Sequence, residues 1–566
     1  AQDLWSVLMV AVVAALGKRP ISEEGRFSPT VAFKRWLRRS IEDSGAGYTV
    51  ALFKDFAANC RLSAIDKTAV PRSRISRIFG QSSFHEIGRA LRAGPSMTDK
   101  EQDILVQLSY IGRALPKGRA TREGLKAQRE HLENLGTAAA PLPEGRREAL
   151  RAFARDWAES HLPTWSEKVE FDPTSGACLE FSRKKGGMAE FLRSRLRAAL
   201  TEQGLWPPPH YLKKLTGYPV IEDEVSALAH AALRRTLIAE VEDIVEGYTY
   251  PAANVLTVSE RGFKTRIVTK SNGAIVALAH HLRRWMTEGT RKDPAIREVL
   301  AGDHREAVES LLKPSHQHLN PTRARDEGND WILSADLKTA TDLIGFETYE
   351  AILDGILDSS PGKTLPKWAS SLFRLCIGPQ RLHYPDIGRV RLSKRGALMG
   401  LPTTWPLLCL ANLAWWKASS ATKQEPRLAV RICGDDLVAK GPLDRIQRYE
   451  LRAKESGAKF SSKAKHMVLK EGGVFTEEVF FTTGPAKVEV QGPVRDRDGR
   501  RGLKYLNLFR RWSDAFPLRG IIGTMKSDIT GTDAPYWSAI GPAIEKMMAA
   551  RSVSARRAIL RTLRYA

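Results

Sequence analysis

Two adjacent aspartates sit inside an apolar run of this chain, and few folds tolerate that arrangement. The stretch Ile432-Cys433-Gly434-Asp435-Asp436-Leu437-Val438 has apolar residues on both sides of Gly-Asp-Asp. This pattern predicts two short buried strands joined by a tight turn, with Gly434 supplying the turn backbone. Far upstream a third carboxylate, Asp336, ends the apolar run Trp331-Ile332-Leu333-Ser334-Ala335. Neighbouring carboxylates repel, so a fold that gathers them needs either a shared proton or a cation. For aspartates at strand ends the economical solution is a pair of magnesium ions. Two such ions, roughly 3.5–4 Å apart, activate an attacking hydroxyl and stabilise a leaving phosphate oxygen. Gly-Asp-Asp taken alone also fits a surface Asx turn, so the surrounding pattern has to decide.

The charge balance suits such chemistry. The chain has 566 residues, a net charge of +24 and a sequence pI near 9.8. Lysines and arginines lining a groove displace counterions from a polyanion, although a basic surface without a specific partner would give the same total. The length exceeds one ordinary domain. Cys60, Cys178, Cys376, Cys409 and Cys433 form no Cys-x-x-Cys pair. They fit reduced core residues of an intracellular protein better than disulfides or zinc ligands. No stretch approaches the roughly 18 apolar residues of a membrane span. The most apolar run, Val7 to Leu16, lacks a preceding basic flank and predicts a buried helix in place of a signal peptide.

Residues 1–205 read as mostly helical, with apolar positions three and four apart, as in Phe33-Trp36-Leu37 and Leu150-Phe153-Trp157. Loops are expected at Pro141–Gly145 and Asp172–Gly176, and Trp206-Pro207-Pro208-Pro209 marks a boundary. The last segment carries Arg551, Arg556, Arg557, Arg561 and Arg564. A basic terminal helix and a contact with nucleic acid explain them equally.

Other candidates surround the aspartates. Asp342 follows Asp336 and precedes a helical pattern from Phe346 to Leu357. It sits either above the metal site or simply as a charge favoured by a helix N-terminus. Between the two aspartate sites, Gly396-Ala-Leu-Met-Gly400-Leu-Pro-Thr403-Thr404-Trp-Pro406 leads into an apolar helix that reaches Asn412. At about 100° per residue, Thr404 and Asn412 lie about 80° apart, and Thr403 opposes Asn412. Thr404 and Asn412 then either reach toward a sugar, or one threonine is an N-cap and Asn412 a satisfied core amide. Upstream, Glu260 to Lys270 alternates as one strand, which puts Lys264, Arg266 and Lys270 on one face as a clamp for a triphosphate. A solvated strand face is the competing reading. Downstream, Lys459, Lys463 and Lys465 offer a proton donor for departing pyrophosphate. Pro361-Gly362-Lys363-Thr364 lacks the earlier glycine of a phosphate loop, and His316-Gln317-His318 reads as loop.

Asp-x5-Asp, Met-Gly-Leu-Pro-Thr-Thr-Trp and Gly-Asp-Asp occur in this order, with Glu-Arg-Gly-Phe-Lys-Thr-Arg ahead of them. Together they resemble the RNA-dependent RNA polymerases of positive-strand RNA viruses. The nearest likeness is to the ourmiavirus-like (botourmiavirus) group, relatives of narnaviruses, mitoviruses and leviviruses. The likeness is strongest from about residue 255 to 480.

The resemblance implies an α+β right-hand polymerase, with an antiparallel palm sheet backed by helices and a mostly helical N-terminal region. Its parts would be 1–205 as extension and fingers, 206–330 as fingers, 331–470 as palm with a finger insertion near 360–395, and 471–566 as end of palm and thumb. Asp336, Asp435 and Asp436 would bind Mg2+, with Mn2+ as a possible substitute. Asp342, Thr403 and Thr404 would test the ribose hydroxyl, with Asn412 a further candidate. Arg261, Lys264, Arg266 and Lys270 would line the nucleotide path, and Lys465 would be the general acid. Met399 stands where many such polymerases have serine. Implied partners are RNA template, nascent RNA and ribonucleoside triphosphates, in the host cytoplasm or alternatively the mitochondrion. The competing functions are a reverse transcriptase-like polymerase and a non-catalytic basic RNA-binding protein.

Overall fold

The structure, a computed structural model, describes residues 1–17, 29–69, 73–79, 84–118, 120–168, 171–174, 176–202, 223–313, 330–420, 429–461, 465–489, 503–522, 541, 544–545, 547–549 and 551–565. The expected Trp206–Pro209 boundary, His316–His318 and Lys463 lie outside these residues.

The N-terminal part is helical, as its three-and-four spacing predicts. The helices are α1 (Gln2–Leu16), α2 (Pro29–Ile65, broken at Gly45), α3 (Arg74–Phe79), α4 (His85–Arg92), α5 (Asp99–Ser109) and α6 (Ile111–Ala114). They are followed by α7 (Ala120–Gly136), α8 (Glu144–His161), α9 (Gly187–Glu202) and α10 (Asp223–Glu246). The Val7–Leu16 run is indeed a buried helix, ended by Gly17 in the left-handed conformation. Thr98 and Glu101 close the start of α5 with a reciprocal capping box, each satisfying a backbone N–H that the helix itself cannot.

A hairpin comes next, formed by β1 (Ala252–Glu260) and β2 (Lys264–Ser271). The sequence reading ran one strand through Glu260–Lys270, but the chain reverses at Arg261-Gly262-Phe263. Gly262 has φ +80 and Phe263 φ +49, values that turn a strand back on itself. After α11 (Gly273–Lys292), α12 (Arg297–Leu300) and α13 (His304–Leu312) comes β3 (Trp331–Asp336). Then follow α14 (Ala340–Leu343), α15 (Phe346–Asp358), α16 (Lys367–Ile377), β4 (Arg381–Tyr384), β5 (Arg389–Leu392) and α17 (Thr404–Ala418). The remaining elements are β6 (Val430–Cys433), β7 (Asp436–Gly441), α18 (Leu443–Glu455), β8 (Met467–Leu469), β9 (Gly472–Phe475), β10 (Glu478–Glu489), β11 (Leu503–Trp512) and a C-terminal helix, Val553–Tyr565.

The strands form three sheets, ordered β2-β1-β4-β5, β6-β7-β3-β8 and β11-β10-β9. The second sheet is antiparallel throughout and carries the aspartates. Ser334 ties it to the third, accepting a hydrogen bond from the Val474 amide at 2.8 Å. Among the described residues, no helix is long and apolar enough to cross a membrane. All five cysteines are free, and four are buried.

Two main cores are found among the described residues. One runs from Leu135 to Ala458 and includes α8, α11 and α15–α18. The other gathers α1–α6 with Met467, Val479, Phe481, Phe516 and Ile559. The helices before residue 116 thus share their core with the far end of the chain. Strand β8 of the central sheet joins that second core through Met467, while α8, α11 and α15–α18 pack in the first.

Helices α8 and α15 approach closely because Gly355 has no side chain. A Cβ there would stand 2.1 Å from the Arg151 carbonyl oxygen. Gly355→Ala should destabilise the protein by about 1–3 kcal/mol in chemical denaturation. Gly145→Ala, where the new methyl meets open space, should leave stability nearly unchanged.

Candidate active site

Strands β3 and β7 pair antiparallel from Trp331↔Gly441 to Asp336↔Asp436, so two of the three carboxylates end opposite each other. Directly opposed residues on such a ladder have Cα atoms about 4.5–5.5 Å apart and side chains on one face. Cys433↔Asp436 closes the β6–β7 hairpin, leaving Gly434 and Asp435 as a two-residue turn. Gly434 has φ +66, the conformation that a glycine-first hairpin turn requires. The predicted tight hairpin and the convergence of the distant Asp336 with it are both present.

Burial, followed by repulsion from Asp435 and Asp336, pushes the Asp436 carboxyl up to about 7. Surrounding protein and then the Asp336 charge also raise Asp435, although its tip still meets solvent. Cations offset part of this repulsion. Lys465 Nζ lies 3.3 Å from Asp336 Oδ2 and also faces Asp435 and Asp436. Lys264 faces Asp435 and Arg113 faces Asp436. Among the described residues, no three carboxylate, thiol or imidazole ligands are grouped so as to enclose one metal ion.

The turn rests on one face of α17. Trp405, Cys409 and Asn412, spaced by four and then three, all point at Gly434. A Cβ on Gly434 would stand 2.9 Å from Trp405 Nε1. The Gly434 amide points to Cys409 Sγ at 3.3 Å, and Asn412 Nδ2 donates to the Gly434 carbonyl at 2.7 Å. Tyr449 donates to Asn412 Oδ1 at 2.9 Å. Asn412 is therefore the satisfied core amide of the two readings, and it is fully buried.

Thr404 also turns inward, donating to the Leu398 carbonyl at 2.8 Å. Thr403 takes the N-cap position without capping, and its buried hydroxyl faces Cys376. Thr403, Thr404 and Asn412 are all buried here, with Asn412 against the turn and Thr404 bonded to the loop before α17. Helix α17 presents the 405/409/412 face to the turn, so its neighbouring polar residues point into the core. The loop before it is pinned instead by backbone, with the Ala397 amide 2.7 Å from the Thr341 carbonyl. Met399 is left exposed.

Asp342 lies within α14, a short helix in the segment between β3 and α15. Burial raises its carboxyl to about 6, while Thr341 and Arg395 pull it the other way. On the β1–β2 hairpin, Arg266 forms an ion pair with Glu260 at 2.6 Å. Burial lowers the Lys264 ammonium, helped by the nearby charges of Arg266, Lys465 and Arg113. Lys270 is on the same alternating face, further from the turn. Arg261 belongs to the turn itself, with Nη1 3.5 Å from the Ala114 carbonyl.

The N-terminal helices take part in a way the sequence reading missed. The Gly262 and Phe263 amides donate to the carbonyls of Leu115 and Pro116 at 2.6 and 2.9 Å. Arg113 pairs with Glu477 in the β9–β10 turn. Tyr110 donates to the Glu477 carbonyl at 3.0 Å. The segment 110–116 therefore bridges the tip of the basic hairpin and the sheet next to the aspartates.

No protein-family model matches the chain. It is similar to two curated viral proteins, each described as an RNA-directed RNA polymerase. One, from Saccharomyces 23S RNA narnavirus, is 34% identical over 455 residues, covering 76% of this chain and 44% of that protein. The other, from Saccharomyces 20S RNA narnavirus, is 27% identical over 547 residues, covering 93% of this chain and 60% of that protein. The chain spans about half the length of these relatives. Both are narnaviral, a group the motif order had placed among its kin, and both support a viral RNA polymerase.

Asn412→Leu should strand the Gly434 carbonyl and the Tyr449 hydroxyl. It should cost about 1–3 kcal/mol and speed hydrogen exchange at the hairpin turn. A carboxyl whose folded pKa exceeds its unfolded one stabilises the fold below the unfolded value and loses that contribution as pH rises through the folded one. For Asp436 that window runs from 3.8 to about 7. Without divalent cations, stability should therefore fall across it, and Asp436→Asn should flatten the fall and stabilise the protein at pH 8 by about 1–3 kcal/mol. Thermal melts from pH 4 to 8 measure this.

Proposed function

We propose that this chain is the polymerase part of a viral RNA-directed RNA polymerase and performs templated nucleotidyl transfer from ribonucleoside triphosphates. The observation that carries the reading is the register of Asp336 against Asp436 beside the Gly434–Asp435 turn, with Lys264 and Lys465 facing the same carboxylates. The narnaviral relatives support the same reaction. The Thr403-Thr404-Trp405 signature favours ourmiavirus-like kin within that circle, and with it the cytoplasm over the mitochondrion.

In this reading the β6-β7-β3-β8 sheet is the palm, and the β2-β1-β4-β5 sheet belongs to the fingers, with β4–β5 as the insertion near 360–395. The segment from 471 onward, with its basic C-terminal helix, closes the other side as a thumb.

Asp336, Asp435 and Asp436 would hold Mg2+, or Mn2+ in its place. The donor set fits, because these oxygen ligands suit a hard cation and Mg2+ typically takes one or two carboxylates, completing its shell with water and phosphate oxygens. When bound, the ions neutralise the triphosphate and lower the pKa of the attacking hydroxyl. The 3′-hydroxyl of the growing strand attacks the α-phosphate, the bond to the β-phosphate breaks, and pyrophosphate leaves. Lys465 would give that leaving group a proton, while Lys264 and Arg266 would hold its oxygens. Arg261 and Lys270 line the approach, and Asp342, with Thr403, Thr404 and Asn412 as further candidates, would read the ribose 2′-hydroxyl. Such catalysis is mostly positioning and charge neutralisation. The net charge of +24 supplies attraction for template and product RNA.

Asp435→Asn keeps shape and removes charge. It should abolish magnesium-dependent incorporation of labelled ribonucleotide while RNA binding by filter retention stays near wild type. Wild-type elongation by this variant would defeat the assignment. Lack of incorporation by the unaltered protein would favour the RNA-binding reading. Preference for deoxyribonucleotides would favour a reverse transcriptase.

A further inference from the structure

Helix α2 passes close to the site and carries two cations seven residues apart. Seven residues are about two turns, so Lys54 and Arg61 lie on one face. Lys54 reaches the tip of the basic hairpin, with Nζ 3.3 Å from the Phe263 carbonyl. Burial and then the charge of Lys465 lower its ammonium, which places it beside that lysine. Two turns on, Arg61 is only 8% exposed, between Tyr110 and the aspartates Asp336 and Asp436. Its Nε–H meets no acceptor among the described residues.

A buried guanidinium with an unanswered donor is costly unless a ligand completes it. The ligand must be anionic, rich in acceptor oxygens, and able to lie between Lys264 and Lys465 on one side and α2 on the other. The charges of Asp336 and Asp436 act on Arg61, but neither carboxylate accepts its Nε–H. Oxygens of a polyphosphate meet every requirement, and a planar guanidinium grips two of them at once.

The geometry points to Lys54 and Arg61 as a second wall of the triphosphate site, supplied by the N-terminal helices to the β- and γ-phosphates of the incoming nucleotide and to the pyrophosphate it releases. The inference rests on the proposed polymerase reading and extends it to residues outside the region where the motifs lie. It also gives the 110–116 bridge a purpose. By fixing the hairpin tip to α5 and α6, which pack on α2, it holds Lys264 and Arg61 at a constant separation.

The test uses the full chain, with magnesium tripolyphosphate as probe in calorimetry and nucleotide incorporation run in parallel. Arg61→Gln should weaken tripolyphosphate binding about tenfold, the loss expected for one charge-assisted contact. It should raise the KM for nucleotides by a similar factor and change kcat less. Arg61→Lys should recover part of the loss. Lys54→Ala, at an exposed position that does not endanger folding, should weaken binding about threefold.

A structural role for Arg61 would lower the melting temperature and leave tripolyphosphate affinity unchanged, which overturns the inference. If Arg61→Gln does not fold, unchanged affinity and KM in Lys54→Ala overturn it equally. Normal incorporation with unaltered KM in both variants sinks this inference and spares the polymerase reading. Absent incorporation with polyphosphate binding that still depends on both residues does the reverse.

Discussion

The amide of Asn412 holds the site together. It donates to the Gly434 carbonyl and accepts from Tyr449, so a residue of α17 clamps the β6–β7 turn to α18. Two like charges at a hairpin tip would otherwise open the turn, since each carboxylate gains by moving toward water and away from the other. The clamp removes that freedom. Once Gly434 is fixed under Trp405, the ladder from Asp436 to Gly441 sets where β3 must pair, and Asp336 follows. The chemistry rests on a packed core amide that touches none of the reacting groups.

The electrostatics of the site are deliberately unfinished. Burial and mutual repulsion push Asp436 up to about 7, and the charges of Arg113 and Lys465 offset only part of that rise. Arg61 presents the complementary case, a buried cation with a donor left over. Anion and cation excess stand side by side, and the proposed nucleotide with its divalent cations would answer both. Such imbalance lowers the stability of the empty protein and is characteristic of functional sites.

Much of this was legible in the sequence. The Gly-Asp-Asp hairpin, the strand ending in Asp336, the helix from Phe346 and the buried α1 follow from local period and turn chemistry, and they appear as expected. The errors have physical causes. One hundred degrees of helix rotation separate Thr404 from Trp405, and only tertiary packing decides which of two adjacent residues faces the turn. The strand over Glu260–Lys270 was broken by Gly262, whose positive φ is permitted by its type but not demanded by it. Arg61 and Lys54 were invisible for another reason. Their seven-residue spacing is a helix face like any other until the fold brings that face to a site hundreds of residues away.

The two ends of the described chain lie together, with Arg561 Nη1 2.5 Å from the Gly17 carbonyl and Ile559 packed in the core that α1 shares. During synthesis α1 to α6 emerge before the central core, yet the surface that covers them is translated only from about residue 467 onward. The central core, Leu135 to Ala458, is complete before that moment. Assembly is therefore expected to proceed from the middle outward, with the early helices held in a loosely packed state until the tail arrives. Dependence on chaperones, and sensitivity to any cut near residue 550, would both originate in this late closure.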